Sequence, residues 1–124
     1  MPQPQQKVRV LVIEDDDRLV FAISEAVADA GYEAMTAGDG HAAIQRLSHF
    51  SPDVIILDLD MPFVDGFTFL DWLRQAGSRI PIILSTADDD HSAEDLGAVV
   101  KLSKPFTQEQ LLAALTAALA RAKQ

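Results

Sequence analysis

The chain has 124 residues, 48% of them apolar, with no cysteine and a formal charge of −9. That length suits one domain with a real core. The absent cysteines exclude a disulfide scaffold, a thiolate metal site and a cysteine nucleophile. The acidic balance argues against nucleic-acid binding by phosphate neutralisation. Met1 to Gln6 is polar, carries no apolar signal region, and is expected to be a disordered tail ahead of a domain over residues 7–122. No apolar run reaches membrane-spanning length.

In chain order, Val8 to Ile13 is a β-rich run that ends in acid. A helical stretch follows, with Leu19, Val20, Ile23, Ala26, Val27 and Ala30 on one face and Gly31 placed to stop it. Glu33 to Ala37 reads as a weaker strand. Asp39 reads as the N-cap of a second helix carrying Ala43, Ile44 and Leu47. Val54 to Leu57 is wholly apolar, as a strand buried on both faces would be. Gly66 to Gln75 predicts a third helix with Leu70 and Leu73 inward, and Pro81 to Leu84 another buried strand. Ala98 to Ser103 reads as a fifth strand. Thr107 caps a last helix whose apolar stripe is Leu111, Leu112, Leu115 and Leu119. Five strands alternating with helices predict an α/β fold with a doubly wound five-stranded parallel sheet. Such sheets bind ligands beyond the C-terminal strand ends.

Those ends carry chemistry. Glu14, Asp15, Asp16 and Asp17 follow the first strand, Asp58 the third, Ser85-Thr86-Ala87 the fourth and Lys104-Pro105 the fifth. Brought together, several carboxylates repel one another unless a cation joins them. Mg²⁺ prefers oxygen ligands and keeps several waters. A carboxylate can then be the nucleophile toward a phosphoryl group, with an ammonium and a hydroxyl as donors to its oxygens. The bland readings stand beside this one. Acids at a helix start suit the dipole, and Asp16 and Asp17 read as cap and first turn. A carboxylate straight after four apolar strand residues, as at Asp58, needs a partner or a cation. His41, His49 and His91 have no metal-ligand spacing, and His41 is expected to be exposed.

Taken in order, Val12-Ile13-Glu14-Asp15-Asp16, the run from Pro52 to Pro62, Asp65-Gly66, Ser85-Thr86-Ala87 and Lys104-Pro105-Phe106 resemble the receiver domains of two-component response regulators, over about Lys7 to Ala122. The resemblance implies a flavodoxin-like receiver fold in which Asp58 is the phosphoacceptor and Thr86 and Lys104 complete the catalytic set. It implies Mg²⁺ held by Glu14, Asp15 and Asp58, with the backbone carbonyl of Asp60 completing the shell and no organic cofactor. Pro105 would follow a peptide bond that is often cis. The implied partners are a histidine kinase or histidine phosphotransfer protein as donor and a downstream protein target, in the cytoplasm. A phosphorylation-dependent homodimer is also open. The domain would catalyse only its own phosphorylation and dephosphorylation, and so is not a turnover enzyme.

Three departures from the family stand out. Lys101 occupies the place of the usual aromatic switch residue. Only eighteen positions separate Thr86 from Lys104, short by roughly one helical turn, so the family's fourth helix is expected to be short or irregular, over about His91 to Leu96. Asp60 and Asp88 put acids two positions after the acceptor and the switch hydroxyl, where side chains tune loss of the phosphoryl group. Phe63, Trp72, Val99 and Val100 are expected to form an apolar patch or to be scattered surface residues. The competing functions are a haloacid dehalogenase-like phosphatase, suggested by Asp58-Leu59-Asp60, and a non-phosphorylated receiver-like interaction module. The phosphatases place further acids after the lysine, whereas here the acid pair precedes Asp58; the interaction module would have lost a key residue.

Overall fold

In a computed structural model, the described residues are 7–60, 66–87, 98 and 100–122. They form β1 (Arg9–Ile13), α1 (Asp17–Asp29), β2 (Glu33–Ala37), α2 (Gly40–Leu47), β3 (Val54–Asp58), α3 (Gly66–Gln75), β4 (Ile82–Thr86), β5 (Val100–Ser103) and α4 (Gln108–Ala122). All strand pairs are parallel, in the order β2-β1-β3-β4-β5. This is a doubly wound sheet whose strand order reverses between β1 and β3. The expected tail over residues 1–6 and the expected helix over 91–96 lie outside the described residues, as do Phe63, Asp65, Asp88, His91 and Val99.

Alternation along the strands feeds two cores. Leu11, Ile13, Ile55, Leu57 and Leu84 face α2 and α3, where Ala43, Phe69, Leu70 and Leu73 pack. Val10, Val12, Val54, Ile56 and Ile83 face α1 and α4, meeting Ile23, Val27, Leu111, Leu115 and Ala118. Every residue of β3 is buried, because helices cover both faces of this central strand.

The helix ends follow local chemistry. The Asp16 carboxylate accepts the N–H groups of Arg18 and Leu19 at 2.9 and 3.2 Å and so caps α1. Asp39 caps α2 through the N–H of Ala42 at 2.7 Å. Thr107 and Gln110 cap α4 reciprocally: the Thr107 hydroxyl accepts the backbone N–H of Gln110, and the Gln110 side-chain Oε1 accepts the backbone N–H of Thr107. Gly31 follows α1 at φ +94°, a conformation that costs a side-chain-bearing residue.

Several expectations shift by a few residues. β4 runs on through Ser85 and Thr86, and β5 begins at Val100 rather than Ala98. Ala30 is the exposed C-cap of α1 and not part of its apolar face. In α4 the buried stripe is Leu111, Ala114, Leu115 and Ala118, with Leu112 and Leu119 half-buried at its margins. Trp72 is 38% exposed and stacks on Phe69 with centroids 6.2 Å apart, while Val100 packs against the core. Phe21, 65% exposed on α1, is the larger apolar exposure and was not expected. No described helix is long and apolar enough to cross a membrane.

Candidate functional site

Parallel pairing brings the C-terminal ends of β1, β3, β4 and β5 to one edge of the sheet. Ile13 pairs with Leu57, Asp58 with Ser85, and Thr86 with Ser103. Glu14 continues from β1, held by a bond from its N–H to the Ala37 carbonyl at 3.1 Å. Lys104 continues from β5, its N–H bonded to the Thr86 carbonyl at 2.8 Å. The Lys104–Pro105 peptide is cis.

The centre of the site is a lysine between two acids. The Lys104 Nζ donates to Glu14 Oε1 at 2.9 Å and to Asp58 Oδ1 at 3.1 Å. Asp58 Oδ1 also accepts the N–H of Asp60 at 2.9 Å, and Glu14 Oε2 accepts the N–H of Asp16 at 3.2 Å. Glu14 and Asp58 are 2% and 1% exposed. The bond of Lys104 to Asp58 joins two residues that the resemblance places in one catalytic set. The shorter bond of Lys104 to Glu14 was not anticipated, and nothing in the spacing of two residues ninety positions apart signals it.

The electrostatics are unbalanced. Burial, reinforced by the hydrogen bond with Asp58, pushes the Glu14 carboxyl up to about 7, although Lys104 and the Asp16 N–H pull the other way. Burial alone would lower the Lys104 ammonium. Its bonds to Glu14 and Asp58 outweigh that and raise it above its ordinary value. The lysine is thus well served by the acids, but the acids are not fully served by one lysine. The local deficit is positive charge.

Oxygens from Glu14, Asp15 and Asp58 all lie within 4.8 Å of one another, with Asp15 exposed on the solvent side. An all-oxygen, carboxylate-rich set that is short of positive charge fits a hard divalent cation, and its open side leaves room for water ligands. Glu14, Asp15 and Asp58 are therefore brought together as expected. The carboxylate of Asp60 is not part of that group. It turns to β4, where the Thr86 hydroxyl donates to Oδ1 at 3.2 Å and Oδ2 at 3.3 Å, and the Ala87 N–H donates to Oδ2 at 3.2 Å. Sequence reasoning took Asp60 for its backbone carbonyl and missed this contact of the side chain.

Asp16 and Asp17 serve α1 as cap and first turn, as expected. His41 and His49 are exposed. Lys101 is half-buried in β5, in register with Leu84. Beside Lys104 lies a surface depression of about 530 Å³, walled by Leu19, Ala22, Pro105 and Phe106 with Arg18 at its border.

Comparison with known proteins agrees with this geometry. The family model of the response regulator receiver domain matches residues 10–116. The chain is 37% identical over 120 residues to the response regulator MprA of Mycobacterium ulcerans, covering 94% of this chain and 52% of that protein. It therefore spans about half the length of the curated relatives it matches. Among solved structures, the chemotaxis protein CheY4 of Vibrio cholerae superposes with a TM-score of 0.84 at 33% identity, covering 92% of this chain and all of that one. The signal receiver domain of a LuxO repressor protein from Vibrio parahaemolyticus gives 0.87 at 31% identity, covering 95% of this chain and 94% of that one.

Proposed function

The chain belongs to the response regulator receiver family, and from that premise we propose that residues 7–122 form a phosphoacceptor domain modified on Asp58 with the help of Mg²⁺. The observation that carries this reading is the Asp58 carboxylate, buried at the end of the central strand, bonded to Lys104 and grouped with Glu14 and Asp15.

An Asp58 oxygen attacks the phosphorus of a phosphohistidine. The new P–O bond forms as the P–N bond breaks, and the imidazole leaves with a proton, giving an acyl phosphate. Glu14, Asp15 and Asp58, with the backbone carbonyl of Asp60, would hold Mg²⁺, which when bound would neutralise the phosphoryl oxygens and the crowded acids. Lys104 passes a hydrogen bond from Asp58 to a phosphoryl oxygen. Thr86 donates its hydroxyl to another, and its movement carries the change to the surface around β4 and β5. Water attack on phosphorus reverses the modification and releases inorganic phosphate. The domain catalyses its own modification and its own reversal, without lasting turnover.

The donor in this reading is a histidine kinase or a histidine phosphotransfer protein in the cytoplasm. The apolar depression between α1 and Pro105-Phe106 borders Lys104 and gives a donor a surface to rest on. The recipient is a downstream protein target. A homodimer formed on phosphorylation belongs to the same scheme.

Mass spectrometry after incubation with acetyl phosphate tests it. Wild type should gain one phosphoryl group with Mg²⁺ and little with a chelator, and Asp58→Asn should gain none. An unmodified wild type, or an Asp58→Asn variant modified to the same extent, would reject the reading.

A further inference from the structure

The side chain of Asp60 neither bonds Lys104 nor joins the cation cluster; it takes donors from Thr86, at the end of β4, and from Ala87 just beyond it. Asp58 pairs in register with Ser85, so Thr86 and Ala87 are the next two residues beyond the row of the acceptor. Thr86 is 2% exposed. Its hydroxyl and the Ala87 N–H converge on one anionic group, as they would on the oxygens of a phosphoryl group bonded to Asp58. Two anions cannot share the same pair of donors, and they repel each other at contact distance.

We propose that the Asp60 carboxylate is an internal stand-in for the phosphoryl anion: it holds Thr86 and Ala87 in the unmodified protein, and phosphorylation of Asp58 must displace it. The proposal rests on Asp58 being the phosphoacceptor. Asp60 is then a positioning residue. It keeps the switch hydroxyl turned toward the site before any phosphoryl group arrives, and it opposes arrival by charge and by occupancy. The same carboxylate competes again as the phosphoryl group leaves, so Asp60 shifts the balance between the two forms toward the unmodified one.

The test compares wild type, Asp60→Asn and Asp60→Ala, each with Thr86 intact and with Thr86→Ala. Two quantities are read: the Ala87 amide resonance in ¹H–¹⁵N spectra before any donor is added, and the initial rate of phosphoryl uptake from acetyl phosphate with Mg²⁺. Removing a carboxylate that holds two donors should raise the uptake rate about tenfold in Asp60→Ala, with Asp60→Asn in between. The Ala87 resonance should move in the unmodified variants. With Thr86→Ala the gain should shrink to about twofold, because the two residues act as a pair. A merely structural role for Asp60 would produce no such coupling. Equal or slower uptake in Asp60→Ala, or an unmoved Ala87 amide, overturns the stand-in while leaving Asp58 as acceptor. Failure of every protein to take up phosphate defeats the acceptor reading itself, and the stand-in with it.

Discussion

Replacing Lys104 with Met removes an ammonium bonded to two buried carboxylates, while keeping an apolar stem of similar length. Breaking a buried ion pair by deleting one partner costs about 3–5 kcal/mol. Lys104 has a side chain 21% exposed, so water reaches the place its ammonium leaves. Glu14, already pushed up to about 7, can also escape by taking a proton. Both effects trim the loss, to about 2–3 kcal/mol near pH 7.5 with a chelator present. The loss should shrink below pH 7, where Glu14 protonates. Mg²⁺ should act in the opposite direction. The carboxylate oxygens lie within 4.8 Å of one another. A unit charge at about that distance from a divalent ion, in a medium of effective dielectric 40–80, repels it by about 2–3 kcal/mol. Lys104→Met should therefore bind Mg²⁺ at least about tenfold more tightly than wild type, and Mg²⁺ should stabilise the variant more than the parent. Urea unfolding with chelator and with Mg²⁺, together with Mg²⁺ titration by calorimetry, measures both. Equal stability in chelator, or equal Mg²⁺ affinity, would refute the claim that this edge is short of positive charge.

Glu14 makes the pH dependence specific. Its folded value lies above the ordinary 4.5 of a glutamate carboxyl, so the folded state holds this proton more tightly than the unfolded one. The stability this confers is complete below pH 4.5 and is lost as pH rises toward about 7. In chelator, wild type should lose at most about 3 kcal/mol more than Glu14→Gln across that window; parallel profiles for the two proteins would contradict the assignment. Leu115→Ala should cost about 2–5 kcal/mol in urea unfolding, because Leu115 is fully buried between α4 and the sheet. A cost under about 1 kcal/mol would mean that α4 is not packed as described.

The sheet was legible because buried parallel strands leave continuous apolar runs, and the caps because Asp16, Asp39 and Thr107 are the residue types that bind free helix N–H groups. The strand β4 was read short because Ser85 and Thr86 look like a loop. They are buried nonetheless, since a central strand stays covered to its tip. The stripe of α4 was read too far toward its leucines. Alanine favours helix on any face, so its pattern does not say which alanines point inward. For the site, residue types and strand ends sufficed to assemble Glu14, Asp15, Asp58, Thr86 and Lys104 at one edge. The bond from Lys104 to Glu14 and the turn of Asp60 toward Thr86 depend on side-chain directions beyond the strands, where no periodic pattern operates.

The bond between Glu14 and Lys104 joins the residues that directly follow β1 and β5, the first and last strands of the described sheet in chain order. During synthesis the acids emerge before the ammonium, so the bond that partly neutralises them cannot form until the segment after β5 has been made. The charge balance of this edge is therefore completed late, when β5 takes its seat beside β4.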